Sequence, residues 1–273
     1  MSEDVVAPSP TDAAGSLQVW LEALHTSSRR LTDTVASLSE RELQQPSMAS
    51  GWSIAQVLSH LGSAAEISTG LLERGIAGDE RGPVREDLEP VWQRWNTLPP
   101  PAQRGAWQEA DTRHLQLLDS LGMSQQLWVR VPYFAGLLNL PDYAGYRLSE
   151  HSVHAWDVEA VLTPGATIPA GEVELLWERL DLVATRFRDA TTLARLAPAQ
   201  LTIALTSPAR TVLLDLGAEL HLYPCEPAEP VGSVTGAAEA VLRLVYGRHQ
   251  PTDEVQVSGA VTLTDLTALF PGF

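Results

Sequence analysis

Apolar residues recur at helical spacing through most of the first 160 residues of the chain. The recurrence from Leu17 to about Leu43 predicts a long amphipathic helix. A second helix is predicted after Trp52, where Ser53 and Gln56 have the spacing of a capping box. The third and fourth helices are predicted at about Ala102–Leu121 and Asp142–Leu162. Four amphipathic helices in series predict an antiparallel four-helix bundle.

The pattern changes after residue 162. The stretch Thr163–Pro169 is rich in turn-forming residues and predicts a linker. A helix is predicted at about Ala170–Ala190, and from Leu201 onward short segments alternate or run apolar as strands do. The later predicted elements are strands at 201–206, 211–216, 219–223 and 255–257, with helices at 237–246 and 263–270. The chain is therefore predicted to be α+β overall, with a tail at residues 1–12, the bundle at 13–165 and a smaller α+β domain at 166–273.

Composition and charge exclude several classes of partner. Acidic residues outnumber basic ones by 34 to 18, for a formal net charge of −16. Nucleic acids and anionic membranes attract Lys/Arg surfaces, so neither is an expected partner. Cys225 is the single cysteine, which excludes an intramolecular disulfide. Since neither a secretory leader nor a long apolar span is evident in the sequence, a cytoplasmic location is expected. The protein is expected to be a monomer or a homodimer.

The candidate chemistry is concentrated between Ser149 and Asp157. In a helix, Glu150 and His154 are four residues apart and lie one above the other, with Asp157 on the same face. Neighbouring tyrosines and valines make that face apolar, and a buried carboxylate is costly unless it is paired. The segment predicts either a metal site or an exposed Glu–His pair, and by itself it favours neither.

A ligand from a second helix would distinguish these alternatives. His60 lies at the edge of the apolar stripe of the second predicted helix, and His114 lies on the leucine stripe of the third. Taken alone, each is more simply explained as a packed histidine. Both therefore stay open as ligands at this point.

Four stretches of the chain together suggest a family. They are Trp52–Leu61 with its histidine, Glu150-x-x-x-His154-Ala155-Trp156-Asp157, Leu244-Val245-Tyr246-Gly247-Arg248 and Val257-Ser258-Gly259. Together they resemble the mycothiol-dependent maleylpyruvate isomerase family, whose members join a DinB-like four-helix bundle to a smaller α+β domain. The resemblance covers nearly the whole chain.

The resemblance implies that His60, Glu150 and His154 are ligands of zinc. It leaves His25 and His114 with structural roles. It also implies that Arg248 acts near the site, the alternative being a surface arginine that caps the preceding helix.

The implied ligand set also suggests a chemistry. Two imidazoles and one carboxylate leave zinc with an open coordination position, as in catalytic sites, and a thiol bound there is deprotonated at neutral pH. The resemblance implies mycothiol as the low-molecular-weight thiol and a small-molecule electrophile as its target.

An S-transferase is the first interpretation. The alternatives are a maleylpyruvate-type cis-trans isomerase that adds and then eliminates the thiol, and a non-catalytic zinc- or ligand-binding module. An Fe(II) oxygenase shares such a ligand set, but its usual β-barrel contradicts the helical pattern.

Further residues are candidates for supporting roles. Arg130, Arg147 and Arg248 are cations suited to binding carboxylates on a substrate or a thiol cosubstrate. Asp157 is the expected acceptor that fixes the tautomer of His154, the alternative being an acid on the helix surface.

Overall fold

A computed structural model describes residues 10–225 and 229–272 of the chain. It divides into two compact units, Met1–Ala166 and Thr167–Phe273. Residues 1–9 of the predicted tail lie outside the described residues. The first helix begins at Pro10, so residues 10–12 belong to a helix and not to a tail.

In the described part of the first unit, helices dominate. The elements are α1 (Pro10–Val35), α2 (Glu40–Leu43), α3 (Ile54–Ile76), α4 (Arg85–Asn96), α5 (Pro100–Asp119), α6 (Met123–Trp128), β1 (Val131–Tyr133), β2 (Gly136–Leu138) and α7 (Leu140–Leu162). Helices α1, α3, α5 and α7 are the long ones, and α3 packs on α5 while α1 packs on α7. Their inward faces form a core that includes Leu31, Leu58, Leu61, Trp107 and Val158. The predicted helical bundle is present.

Local signals explain where these helices begin. The Oγ atom of Ser53 accepts from the backbone N–H of Gln56, and Oε1 of Gln56 accepts from the N–H of Ser53, which completes the predicted capping box. Helix α5 begins two residues earlier than predicted, because Pro100 is compatible with the first turn of a helix. The side chain of Asn139 caps α7 by accepting from the N–H of Asp142.

The single first helix predicted from Leu17 to Leu43 is wrong at its C-terminal end. Helix α1 stops at Val35, and a second capping box, between Ser39 and Glu42, begins the short helix α2. The apolar stripe continues across this break, since Val35 and Leu43 are both fully buried. The hydrophobic periodicity therefore did not predict the break between α1 and α2.

The segment between α5 and α7 contains α6 and a small hairpin, for which no element was predicted. Strands β1 and β2 pair antiparallel, with Tyr133 opposite Gly136. Strand β1 lies close against α3, because a Cβ at Gly75 would stand 2.4 Å from the carbonyl oxygen of Arg130. Glycine at this position is what permits the close approach.

The second unit is a mixed sheet with helices. Its described elements are α8 (Ala170–Glu178), α9 (Leu180–Phe187), α10 (Ala190–Leu196), β3 (Ala199–Thr206), β4 (Ala209–Leu216), β5 (Leu220–Tyr223), β6 (Gly232–Gly236), α11 (Ala238–Val245), β7 (Gln256–Gly259) and α12 (Leu263–Leu269). The strand order is β5-β4-β3-β6-β7, and only the β3–β6 pair is parallel. The α+β class is confirmed. The predicted helix at 170–190 is instead divided into pieces, and β6 was not predicted. Across the described ranges, no helix has both the length and the apolarity needed to cross a membrane.

Candidate metal centre

Helices α3 and α7 bring three possible ligands together. His60 of α3 and Glu150 and His154 of α7 each offer one ligand atom, and these atoms all lie within 4.8 Å of one another. Nε2 of His60 is 3.0 Å from Oε2 of Glu150, and Nε2 of His154 is 3.9 Å from the same oxygen. A carboxylate oxygen and two imidazole nitrogens thus converge on one point.

His154 is held by a carboxylate on its other side. Its Nδ1 lies 2.8 Å from Oδ2 of Asp157, whose side chain is fully buried. An ionised carboxylate can only accept, so Nδ1 of His154 carries the proton and Nε2 has its lone pair available. This tautomer is the one that leaves Nε2 able to bind a metal.

The cluster is open on one side. The His60 and Glu150 side chains are 32% and 25% exposed, whereas that of His154 is 2% exposed. Two neutral nitrogen donors with one carboxylate suit zinc, and the exposed side leaves room for a further ligand. The residues therefore fit a metal ion that has an open position.

The electrostatics of the cluster favour an anionic carboxylate beside neutral imidazole. Burial is the largest single effect on Glu150 and raises its pKa, but the hydrogen bond with His60, together with the charges of His60, His154 and Arg147, lowers the pKa to about 2. Burial lowers the pKa of His154, against the raising effect of Asp157. Both shifts favour the protonation states that bind a cation.

Trp52 is a neighbour of the cluster to which the sequence assigned no role. Its ring centroid lies 5.0 Å from that of His60 and 5.9 Å from that of His154. Trp52 directly precedes Ser53, the N-cap of α3, and α3 carries the candidate ligand His60. This position next to the start of α3 was the signal in the sequence that could have indicated a role for Trp52.

A second polar layer lies inside the bundle beside the cluster. Arg147 is 1% exposed, and its charge acts on Glu150 and on two buried tyrosines, Tyr133 and Tyr143. Desolvation lowers the pKa of this guanidinium, but the neighbouring Tyr133, Tyr143, Glu150 and Asp111 raise it on balance. Nε and Nη1 of Arg147 have no hydrogen-bond partner among the described residues. Arg147 therefore stands beside the candidate ligands as a buried cation and is not open to solvent.

The other candidate residues make contacts of their own. Arg130 is exposed, and its Nη1 donates to the carbonyls of Leu127 and Val129. Arg248 belongs to the second unit, where it is buried and its Nη1 lies 3.3 Å from the carbonyl of Tyr246. Nε2 of His114 is 2.7 Å from the hydroxyl of Tyr143. His25 pairs with Asp119 at 2.9 Å on the bundle surface.

Comparison with known proteins places this geometry in context. Residues 24–159 match the family model of the mycothiol maleylpyruvate isomerase N-terminal domain. A crystal structure of the mycothiol-dependent maleylpyruvate isomerase is 18% identical, with a TM-score of 0.66 over 90% of this chain and 94% of that chain, and a histidine-to-alanine mutant of it gives the same values. YfiT from Bacillus subtilis, described as a probable metal-dependent hydrolase with an unusual four-helix bundle topology, is 18% identical, with a TM-score of 0.40 over 59% of this chain and 93% of that chain. No curated protein matches the sequence.

Proposed function

Because the chain belongs, through its N-terminal domain, to the mycothiol maleylpyruvate isomerase family, we propose that it is a metal- and thiol-dependent cis-trans isomerase of a small conjugated acid. The S-transferase placed first from the sequence receives less support, since the matching domain is named for an isomerase. The convergence of His60, Glu150 and His154 from two helices carries the proposal. Such a set, open on one side, is typical of a metal that takes part in a reaction.

Each ligand has a distinct task in this proposal. Glu150 supplies the negative charge, and its low pKa keeps that charge at every pH at which a thiol enzyme works. His154 presents Nε2 because Asp157 holds the proton on Nδ1. The exposed edge of His60 lies at the open side, where the thiol would enter. A zinc ion held by these three side chains would supply the acidity that ionises a thiol at neutral pH, and the ionised thiol would be the nucleophile for a conjugated double bond.

Arg147 contributes from within the bundle. Its buried guanidinium is a fixed positive charge close to Glu150, and it lowers the pKa of that carboxyl. Because it is 1% exposed, we assign it this electrostatic role in preference to direct contact with a substrate carboxylate. Arg130 and Arg248 remain the proposed contacts for carboxylates.

The test begins with metal analysis of the purified protein. The zinc-loaded protein is then incubated with mycothiol and maleylpyruvate, and isomers and adducts are separated by chromatography and identified by mass. We expect isomer to form with no net consumption of thiol. A stable thiol adduct in place of isomer would make the protein an S-transferase.

A matched pair of histidine variants provides the control. His60→Ala should lose the metal and the turnover, whereas His25→Ala, at a surface histidine of the same unit, should keep both. Stoichiometric zinc in the His60→Ala variant would refute the ligand assignment. Iron with oxygen-dependent turnover would refute the zinc-thiol chemistry.

A further inference from the structure

The two histidines of the cluster are held in different ways. Nδ1 of His154 is bonded to Asp157 at 2.8 Å, which fixes the orientation of the ring. His60 has no equivalent, because its one side-chain hydrogen bond with the described residues is that of Nε2 with Glu150. A metal-binding imidazole normally has its second nitrogen restrained. Among the described residues, no side chain restrains Nδ1 of His60 as Asp157 restrains that of His154.

Ring packing supplies that restraint. The indole of Trp52 lies 5.0 Å from the His60 ring at an interplanar angle of 44°. It is also stacked on the His154 ring, at 5.9 Å and 26°. The two imidazoles meet edge to face at 4.7 Å. All three rings are thus in mutual contact, and Trp52 spans both histidines.

The loop that carries Trp52 is itself fixed. The carbonyl of Trp52 accepts from the N–H of Ser47 at 2.8 Å and from its hydroxyl at 2.9 Å. The N–H of Trp52 donates to the carbonyl of Ala49 at 3.0 Å. The N–H of Met48 donates to the carbonyl of Asp157 at 2.9 Å, which ties the loop to α7. The backbone of Trp52 is therefore fixed within its loop, and the loop is fixed to α7.

We infer that Trp52 is a positioning residue of the metal centre, orienting the His60 imidazole by ring packing as Asp157 orients that of His154 by a hydrogen bond. The inference rests on the proposed function, since it requires a metal at the cluster. An imidazole that donates to a cation carries more positive charge than a free one, and the face of an indole attracts positive charge. Trp52 therefore stabilises the metal-loaded site more than the empty one.

The test compares two substitutions of Trp52 with a control. Trp52→Phe keeps an aromatic plane, and Trp52→Leu keeps apolar volume without a plane. Trp128→Leu removes another half-exposed tryptophan of the same unit. Zinc affinity is measured by competition with a chromogenic chelator. We expect Trp52→Leu to weaken zinc binding by about 10-fold, the lower end of the range for residues that orient ligands, and Trp52→Phe to weaken it by less than about 3-fold. Trp128→Leu should bind zinc as the wild type does.

Fluorescence gives a second readout that does not depend on turnover. Cobalt(II), a quencher, is added to the metal-free protein, and tryptophan emission is recorded. Trp52 is one of 8 tryptophans, and its ring packs against both histidines of the cluster. We expect most of the quenching to disappear in Trp52→Phe and to persist in Trp128→Leu.

The outcomes separate this inference from the proposed function. A wild-type protein that binds no divalent metal would refute the proposed function. Wild-type metal binding with unchanged zinc affinity in Trp52→Leu would overturn the role of Trp52 alone. If Trp52→Leu does not fold, Trp52→Phe decides, and undiminished cobalt quenching in that variant would overturn the inference.

Discussion

Two neighbouring rows of side chains on α7 carry similar residues and have different surroundings. Glu150 and His154 form one row, and Arg147 and His151 form the other. The first row meets His60 and lies partly open to solvent. In the second row, Arg147 is 1% exposed and His151 is fully buried. A histidine and a charged residue thus make a candidate site in one row and part of the interior in the other.

The partners of the two histidines explain the difference. Nδ1 of His154 meets the Asp157 carboxylate, whereas Nδ1 of His151 lies 3.0 Å from the hydroxyl of Ser27. The ring of His151 packs near Trp107, and its Nε2 has no hydrogen-bond partner in the described part of the chain. Burial is the main cause that lowers the pKa of His151, to about 4. His151 is thus a buried neutral histidine that faces a hydroxyl, and no carboxylate of the described residues is hydrogen-bonded to it.

The largest expected effect comes from removing the ligand of the first row. His154→Ala should abolish both metal binding and thiol-dependent turnover, because the remaining pair of ligands cannot hold the ion. His151→Asn, which keeps a polar group near Ser27, should retain stoichiometric zinc. Atomic absorption on the two purified variants checks this. Equal zinc in both variants would remove the distinction between the rows.

Loss of the carboxylate behind the ligand should have a smaller effect. Asp157→Asn leaves His154 in place but withdraws the charged acceptor from Nδ1, so we expect zinc affinity to fall about 10- to 100-fold. Chelator competition measures it, and thermal unfolding of the metal-free variant shows whether the fold is kept. An unchanged affinity in a folded variant would mean that Asp157 does not support the ligand.

The second row should affect the free energy of unfolding and not the affinity for metal. The folded pKa of His151, about 4, lies below its ordinary value of 6.5, so the unfolded state takes up a proton first as the pH falls. This contribution to stability is complete above pH 6.5 and is lost toward pH 4, by about 3 kcal/mol in all. Urea unfolding of the metal-free wild type and of His151→Asn, at a series of pH values, measures it. Between pH 6.5 and pH 4 the wild type should lose about 3 kcal/mol more unfolding free energy than the variant. Parallel curves would contradict the assignment.

The smallest expected effect comes from the hydroxyl that faces His151. Ser27→Ala should cost about 1–2 kcal/mol of unfolding free energy, because it leaves Nδ1 of a buried ring without its partner. Zinc affinity should not change. Urea unfolding and chelator competition on one preparation test both statements. A loss of zinc affinity as large as that of Asp157→Asn would show that the two rows are coupled.

Periodicity and capping were sufficient to predict the long helices that build the site. The apolar stripe and the Ser53 capping box located α3. The start of α7 was predicted to within two residues. The break after Val35 could not be seen, because the buried stripe runs on through it. Helix α4 was missed since it contains Pro90 and many charges, and β6 was missed since it is short and has glycine at both ends.

The residues of the candidate site were also predictable only in part. The pairing of Glu150 with His154 follows from helical geometry within one segment. The choice between His60 and His114 depends on how α3 and α5 are rotated toward α7, and side-chain patterns do not specify that rotation. In the structure, Nε2 of His114 is bonded to Tyr143, and His60 faces Glu150. Here the family resemblance supplied what the pattern could not.

The separation of His60 from the other two ligands along the chain also bears on biosynthesis. Synthesis proceeds from the N-terminus, so a nascent chain exposes one of the three ligands long before α7 leaves the ribosome. A single histidine binds zinc weakly, so the proposed metal site is complete only when the last long helix docks. Under the proposed function, metal loading would be a late event, and a bound ion would stabilise the finished bundle through mass action without favouring any earlier intermediate. A truncated product that ends before residue 150 would compete poorly for cellular zinc.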